Sequence, residues 1–290
     1  MVEESRELIE ITSPENVSET HSEEISHEHT LYAEPIAQIG NFTITNSLLT
    51  SGIALIIILM IGLVFRARLR LVPKKLQSIV EIIMEQFLEI FDVVTGSRER
   101  SIKVAPFVMS FFILILINNW LGLLPGVGSI GQIVVHDGHK TFIPYLRGGT
   151  ADLNTTLALA SIAVVASHIF GVMAIGAWNY VNKFINIKAF LEIPKKVMKD
   201  PTVLLINPVK AFVGLIEIIG EGAKVVSLSF RLFGNIFAGE VLLATMAGIM
   251  AFAVPIPFMF LEVIVGLIQA LIFAILVLIY ISISTTAEEH

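Results

Sequence analysis

Arg231 lies inside the apolar stretch 225–254, where a cation is costly. A charge at the centre of a bilayer costs about 2.5–3.5 kcal/mol on insertion scales, so a chain keeps one where something inside the membrane requires it. The run Arg231-Leu232-Phe233-Gly234-Asn235-Ile236-Phe237-Ala238-Gly239-Glu240 puts a guanidinium, an amide and a carboxylate within ten residues. At about 100° per residue, Glu217, Lys224 and Arg231, seven apart, fall on one stripe, with Asn235 one turn further along. Glu240, nine residues from Arg231, points to the opposite side, about 13 Å along the axis. A second stripe pairs Glu262 with Gln269, again seven apart.

These types divide the chemistry. Arginine keeps its proton even when partly dehydrated, so it can repel protons or pair with a passing carboxylate but cannot relay. A hairpin of the last two helices can bring Glu240 and Glu262 into one low-dielectric layer. Two carboxyl groups there will not both stay ionised, so at least one holds a proton at neutral pH, as a relay requires. Each residue also has a plainer reading. Arg231 could be a structural partner of Glu217 or Glu240. Asn235 and Gln269 either hold helices together or line an aqueous path. Glu217 and Lys224 either line that path or snorkel to an interface. His168 either extends the path or hydrogen-bonds within the bundle.

The elements that must position these groups are membrane helices. Of 290 residues, 55% are hydrophobic and 15% charged, against about 25% charged in soluble domains; the mean hydropathy is +0.82. With no cysteine, disulfides and thiolate metal sites are excluded. A span needs about 20 apolar residues. Five segments qualify, at about 48–65, 104–124, 153–178, 202–250 and 258–283. An amphipathic helix over 76–92, with Ile79, Ile82, Ile83 and Phe87 against Glu81, Glu85 and Glu89, is expected in the interface, packed on its neighbours, or both. As one helix, 202–250 would run about 70 Å, so it must tilt, follow the interface first, or break at Gly220 or Gly222. Pro255 and Pro257 force a tight reversal, so the last two helices form a long tilted hairpin. The fold class is thus an all-α integral membrane protein with five crossings, divided into an acidic tail, 1–40, and one helical domain, 41–290.

Basic residues set the orientation. Arg66, Arg68, Arg70, Lys74 and Lys75 follow the first span, and Lys183, Lys188, Lys195, Lys196 and Lys199 follow the third. Both loops are expected in the cytoplasm, with the N-terminus outside and the C-terminus inside. Residues 1–34 have neither a secretory nor a transit-peptide pattern and read as a solvated tail.

The run from Arg231 to Glu240 resembles the signature of subunit a of F-type rotary ATP synthases. Gln269-Ala270-Leu271-Ile272-Phe273 is similar to that family's last-helix motif, Asn119-Trp120-Leu121-Gly122-Leu123-Leu124-Pro125-Gly126 to the end of an earlier helix, and Ala151-Asp152-Leu153-Asn154-Thr155-Thr156 to the start of the next. The closing Glu288-Glu289-His290 resembles bacterial members, which implies a bacterial plasma (inner) membrane. The resemblance covers roughly residues 40–290. It implies a proton-translocating stator subunit, not catalytic by itself and without cofactor or metal. Its implied partners are the c-ring, peripheral-stalk b subunits, translocated protons and lipid, with no nucleic acid. It further implies two offset half-channels to the ring, with Arg231 as the barrier between them. Asn235, Glu240, Gln269, Glu217 and Lys224 match the family by position; Glu262 stands where other members carry histidine or glutamate. The alternative reading is a self-contained ion-coupled secondary transporter, which would normally carry internal repeats and broken midplane helices.

Overall fold

A computed structural model describes residues 30–124, 126–136, 139–185, 203–250 and 253–286. Most of the acidic segment, residues 1–29, lies outside the described residues, as do Lys188, Lys195, Lys196, Lys199 and Glu288-Glu289-His290. The described chain begins with a hairpin that the sequence reading did not anticipate. Strands β1 (Pro35–Ile39) and β2 (Phe42–Thr45) pair antiparallel about Gly40-Asn41. Gly40 takes φ 61°, the left-handed region that a side chain disfavours. The expected boundary at residue 40 therefore falls inside a turn. A second hairpin, β3 (Gly131–His136) with β4 (His139–Pro144), is a small unit of its own.

Thr45 ends β2 and caps the next helix, its hydroxyl accepting from the Leu48 N–H at 3.3 Å. The helices are α1 (Asn46–Arg68), α2 (Lys75–Thr95), α3 (Arg98–Gly122), α4 (Leu153–Ile175), α5 (Ala177–Ile185), α6 (Val203–Ile249) and α7 (Pro255–Thr285). Five of them, α1, α3, α4, α6 and α7, are long and apolar enough to cross a membrane, which makes the chain an all-α integral membrane protein. Asp152 starts α4, its carboxylate accepting from the N–H groups of Asn154 and Thr155 at 3.2 and 3.3 Å. The third span was expected to run to 178. It stops at Ile175 because Gly176 adopts φ 83°, and a separate helix, α5, follows from Ala177. Pro255, one of the two prolines expected to force the reversal, is the first residue of α7, where a missing N–H costs nothing. Helix α6 is unbroken for 47 residues, about 70 Å at 1.5 Å per residue. Of the three ways to accommodate it, a break at Gly220 or Gly222 is excluded.

The core lies where α3, α4, α6 and α7 meet. Val108 and Ile115 of α3, Ala160 and Ala163 of α4, Leu228 and Leu232 of α6, and Ala270, Phe273 and Val277 of α7 are buried together. Helix α2 packs on its neighbours, one of the two expectations for it. Phe87 packs its ring 4.8 Å from Phe112, and Phe91 is fully buried. Ile79, Ile82, Ile83 and Val93 stay exposed on its other side. Arg98 ties the α2–α3 corner, its Nη1 donating to Asp92 at 2.9 Å and its Nη2 to Glu85 at 2.6 Å. The Ser101 hydroxyl and that guanidinium hold the Asp92 carboxyl below the usual carboxylate range.

Candidate functional site

Arg231 projects from the face of α6 that the chain leaves uncovered. Phe212, Val213, Ile216, Ile219, Val226 and Phe230 lie on exposed parts of the same helix, each more than half accessible. Arg231 and Asn235 are exposed among them. Leu228, Leu232 and Ser229 face inward and are buried. Among the described residues Arg231 has no hydrogen-bond or ion-pair partner, so the readings that paired it with Glu217 or Glu240 are set aside.

Glu240 is paired elsewhere. Arg147, in the segment before α4, donates from Nε to both carboxylate oxygens at 3.0 and 3.1 Å and from Nη2 to Oε2 at 3.0 Å. The same guanidinium donates to the carbonyls of Tyr32 and Thr30 at 3.2 and 2.9 Å, and its Cζ lies 6.0 Å from the centre of the Phe237 ring. Its side chain is 4% exposed and that of Glu240 27%. The backbone of Arg147 is fixed as well, its N–H donating to the Thr50 hydroxyl at 3.1 Å. Sequence reasoning passed over Arg147 as an ordinary loop charge. The available signal was Gly148-Gly149 directly after it. Those glycines let the loop lie against the helices: a methyl group at Gly149 would overlap the Ser51 hydroxyl and the Asn118 amide.

The α6–α7 hairpin sets Glu262 against the Gly239–Glu240 end of α6. Glu262 is 7% exposed, and its carboxyl group lies directly on Gly239, the residue before Glu240. A Cβ at Gly239 would overlap the carboxyl carbon and both oxygens. Gly239→Ala is therefore expected to cost about 1–3 kcal/mol through overpacking. The measurement is the thermal-inactivation midpoint of the purified complex; the shorter Glu262→Asp in the same chain should recover part of the loss. Gln269 is half-buried two turns further along α7.

Lys224 and Glu217 lie on the N-terminal side of Arg231 on α6, where His168 of α4 comes alongside. Lys224 is bound to a residue that the stripe on Arg231 left out: its Nζ donates to Glu221 at 2.7 Å and sits 5.1 Å from the centre of the Tyr280 ring. The other Glu221 oxygen lies 3.5 Å from His168 Nε2, and His168 Nδ1 lies 2.6 Å from the Tyr180 hydroxyl. His168 thus joins a cluster built from α4, α5, α6 and α7. Glu217 is half-buried one turn away on α6. Asn118 and Asn119 serve helix contacts. The Asn118 amide accepts from Ser51 at 3.1 Å, and the Asn119 amide donates to the Gly266 carbonyl at 2.9 Å.

Along α6 the charged groups therefore come in three levels: an acidic layer pinned by Arg147, an exposed arginine with no partner in the described chain, and a Glu–Lys–His–Tyr cluster. Comparison with known proteins identifies the family to which these elements belong. The sequence pattern of the family described as ATP synthase A chain matches residues 48–282. ATP synthase subunit a of Syntrophobacter fumaroxidans is 31% identical over 90% of this chain and 92% of its own. Subunit a of Mycobacterium bovis is 33% identical over 87% and 91%, and the chloroplastic subunit a of Stigeoclonium helveticum 32% identical over 84% and 85%. With the match spanning all five membrane helices, the chain belongs to the ATP synthase A-chain family.

Proposed function

We infer that this chain is the proton-translocating stator subunit of an ATP synthase membrane sector, not catalytic by itself. In it the Glu240–Glu262 layer takes protons from one side, the Glu221 cluster serves the other, and Arg231 keeps the two apart. The observation that carries this reading is Arg231 itself, exposed and without a partner among the described residues, between two polar levels. The partner it lacks would be an ionised carboxylate on a passing rotor subunit. The uncovered apolar face of α6 suits a c-ring, with peripheral-stalk b subunits contacting other faces. Basic loops after the first and third spans argue for a cytoplasmic Glu221 side in a bacterial plasma membrane, with the N-terminus outside. The transporter alternative loses its main support, because α6 has no midplane break.

Within the acidic layer the two carboxyl groups divide the work. Glu240, bound at both oxygens by a buried guanidinium, serves as a fixed anion. Glu262, buried without a described cation beside it, is the proton carrier. Each proton that crosses gains about 2.3 kcal/mol per 100 mV, and the chain's task is to let it do so only by turning the ring. Glu262→Gln should lower ATP-driven proton pumping in inverted vesicles at least about tenfold, the low end of what a positioned proton-transfer group contributes. Pumping at the parental rate, with the complex fully assembled, would refute the assignment.

A further inference from the structure

We propose that Glu221, His168 and Tyr180 form a proton-release relay on the Glu221 side of Arg231, with His168 as the group that exchanges protons with water. The proposal rests on the stator reading above and adds to it the residues through which protons leave.

The geometry comes from four helices. Glu221 lies ten residues before Arg231 on α6, about 15 Å along the axis. Its side chain is 16% exposed, and Lys224 holds one oxygen, Oε1. The other, Oε2, is 3.5 Å from His168 Nε2, a gap that a small rotation of either side chain closes to hydrogen-bond length. On the far side of the imidazole, Nδ1 meets the Tyr180 hydroxyl at 2.6 Å. Tyr180 is itself 6% exposed, and its ring is pressed into a notch at Gly171, one helical turn from His168 on α4. A methyl group at Gly171 would overlap that ring, so the notch is what lets α5 deliver the phenol to the imidazole. The His168 side chain remains 29% exposed, giving the relay its outlet.

The step balances on these atoms. With the Tyr180 oxygen accepting from Nδ1–H, the Nε2 lone pair faces Glu221. A proton that reaches Glu221 forms the carboxylic acid. Its Oε2–H bond then breaks as an N–H bond forms at Nε2, leaving an imidazolium and a carboxylate that Lys224 stabilises. The imidazolium gives one proton to water, and the neutral ring is restored. Histidine suits this position because one ring nitrogen can accept a proton while the other donates. Among the described residues, the titratable and charged groups around it are Tyr180 from α5, Glu221 and Lys224 from α6, and Tyr280 from α7, with Glu217 one turn from Glu221 on α6.

The test uses the whole synthase in inverted vesicles, where the medium bathes the cytoplasmic face. Initial rates of ATP-driven proton pumping are measured between about pH 5 and 8 for the parent, His168→Gln and His168→Ala. The expected result is a several-fold lower rate in both variants, loss of one titration step from the medium-pH profile, and recovery of the His168→Ala rate on adding imidazole. Rescue by a diffusible base is something that a merely structural histidine would not allow. A parental pH profile in His168→Gln overturns the relay, and so does a loss that imidazole leaves unchanged. Parental vesicles that pump no protons would instead overturn the stator reading, so the two failures are distinguishable.

Discussion

Arg231→Ala is expected to abolish ATP synthesis while leaving the chain folded and inserted. The two halves of this outcome have separate causes. Folding should survive because the guanidinium has no partner among the described residues, so its removal leaves no buried anion behind. It also relieves the roughly 2.5–3.5 kcal/mol that a mid-membrane arginine costs at insertion. Function should fail because only a permanent charge on the exposed face of α6 can oblige a rotor carboxylate to ionise as it passes. Without it, a protonated carboxyl could shuttle between the two polar levels and short-circuit them. The measurement pairs the amount of this chain in assembled complexes with ATP synthesis and passive proton leak in vesicles. Normal abundance, no synthesis and a raised leak are expected. A chain that disappears from the membrane would make Arg231 a folding residue, and retained synthesis would remove it from the mechanism. Arg231→Lys keeps the charge but exchanges a group that holds its proton for one that can lose it when dehydrated, so it should leak less than alanine and synthesise poorly.

What could be read from the sequence was whatever is written locally. Hydropathy over about 20 residues located all five spans, because bilayer thickness constrains each helix by itself. Arg231, Asn235 and Glu240 fall on α6, and Glu262 and Gln269 on α7, because they lie within those locally legible spans. The hairpin at Gly40-Asn41 was missed although its turn residues are a recognisable signal, since the tail had been assigned by charge alone. Glu221 was missed for a geometric reason. The helical stripe was anchored on Arg231, and Glu221 lies off it; its significance appears only when α4 brings His168 alongside. Arg147 depended most on the fold. Its partner Glu240 is 93 residues away, and two further acceptors come from the chain before α1. No period or motif encodes a contact that three distant segments must meet to form.

That long-range contact supports the second large prediction. Arg147→Ala should reduce both assembly and ATP synthesis, because it leaves the Glu240 carboxylate in a partly buried site without its cation; breaking such a pair from one side costs about 3–5 kcal/mol when burial is complete. Glu240 is 27% exposed, so a cost near the lower end is expected. If the arginine acts by fixing that anion, neutralising Glu240 in the same chain should offset part of the damage. Arg147→Ala combined with Glu240→Gln is therefore expected to assemble better than Arg147→Ala alone, with a coupling within the roughly 0.5–3 kcal/mol typical of contacting residues. The assay compares complex abundance and thermal-inactivation midpoint across the parent, both single variants and the double. Strict additivity would mean that Arg147 serves the carbonyls of Thr30 and Tyr32 rather than Glu240. Synthesis should not recover with assembly, because the fixed charge beside Glu262 is still missing in the double variant. A stable double variant that makes ATP at the parental rate would show that the intake layer needs no anion next to its proton carrier.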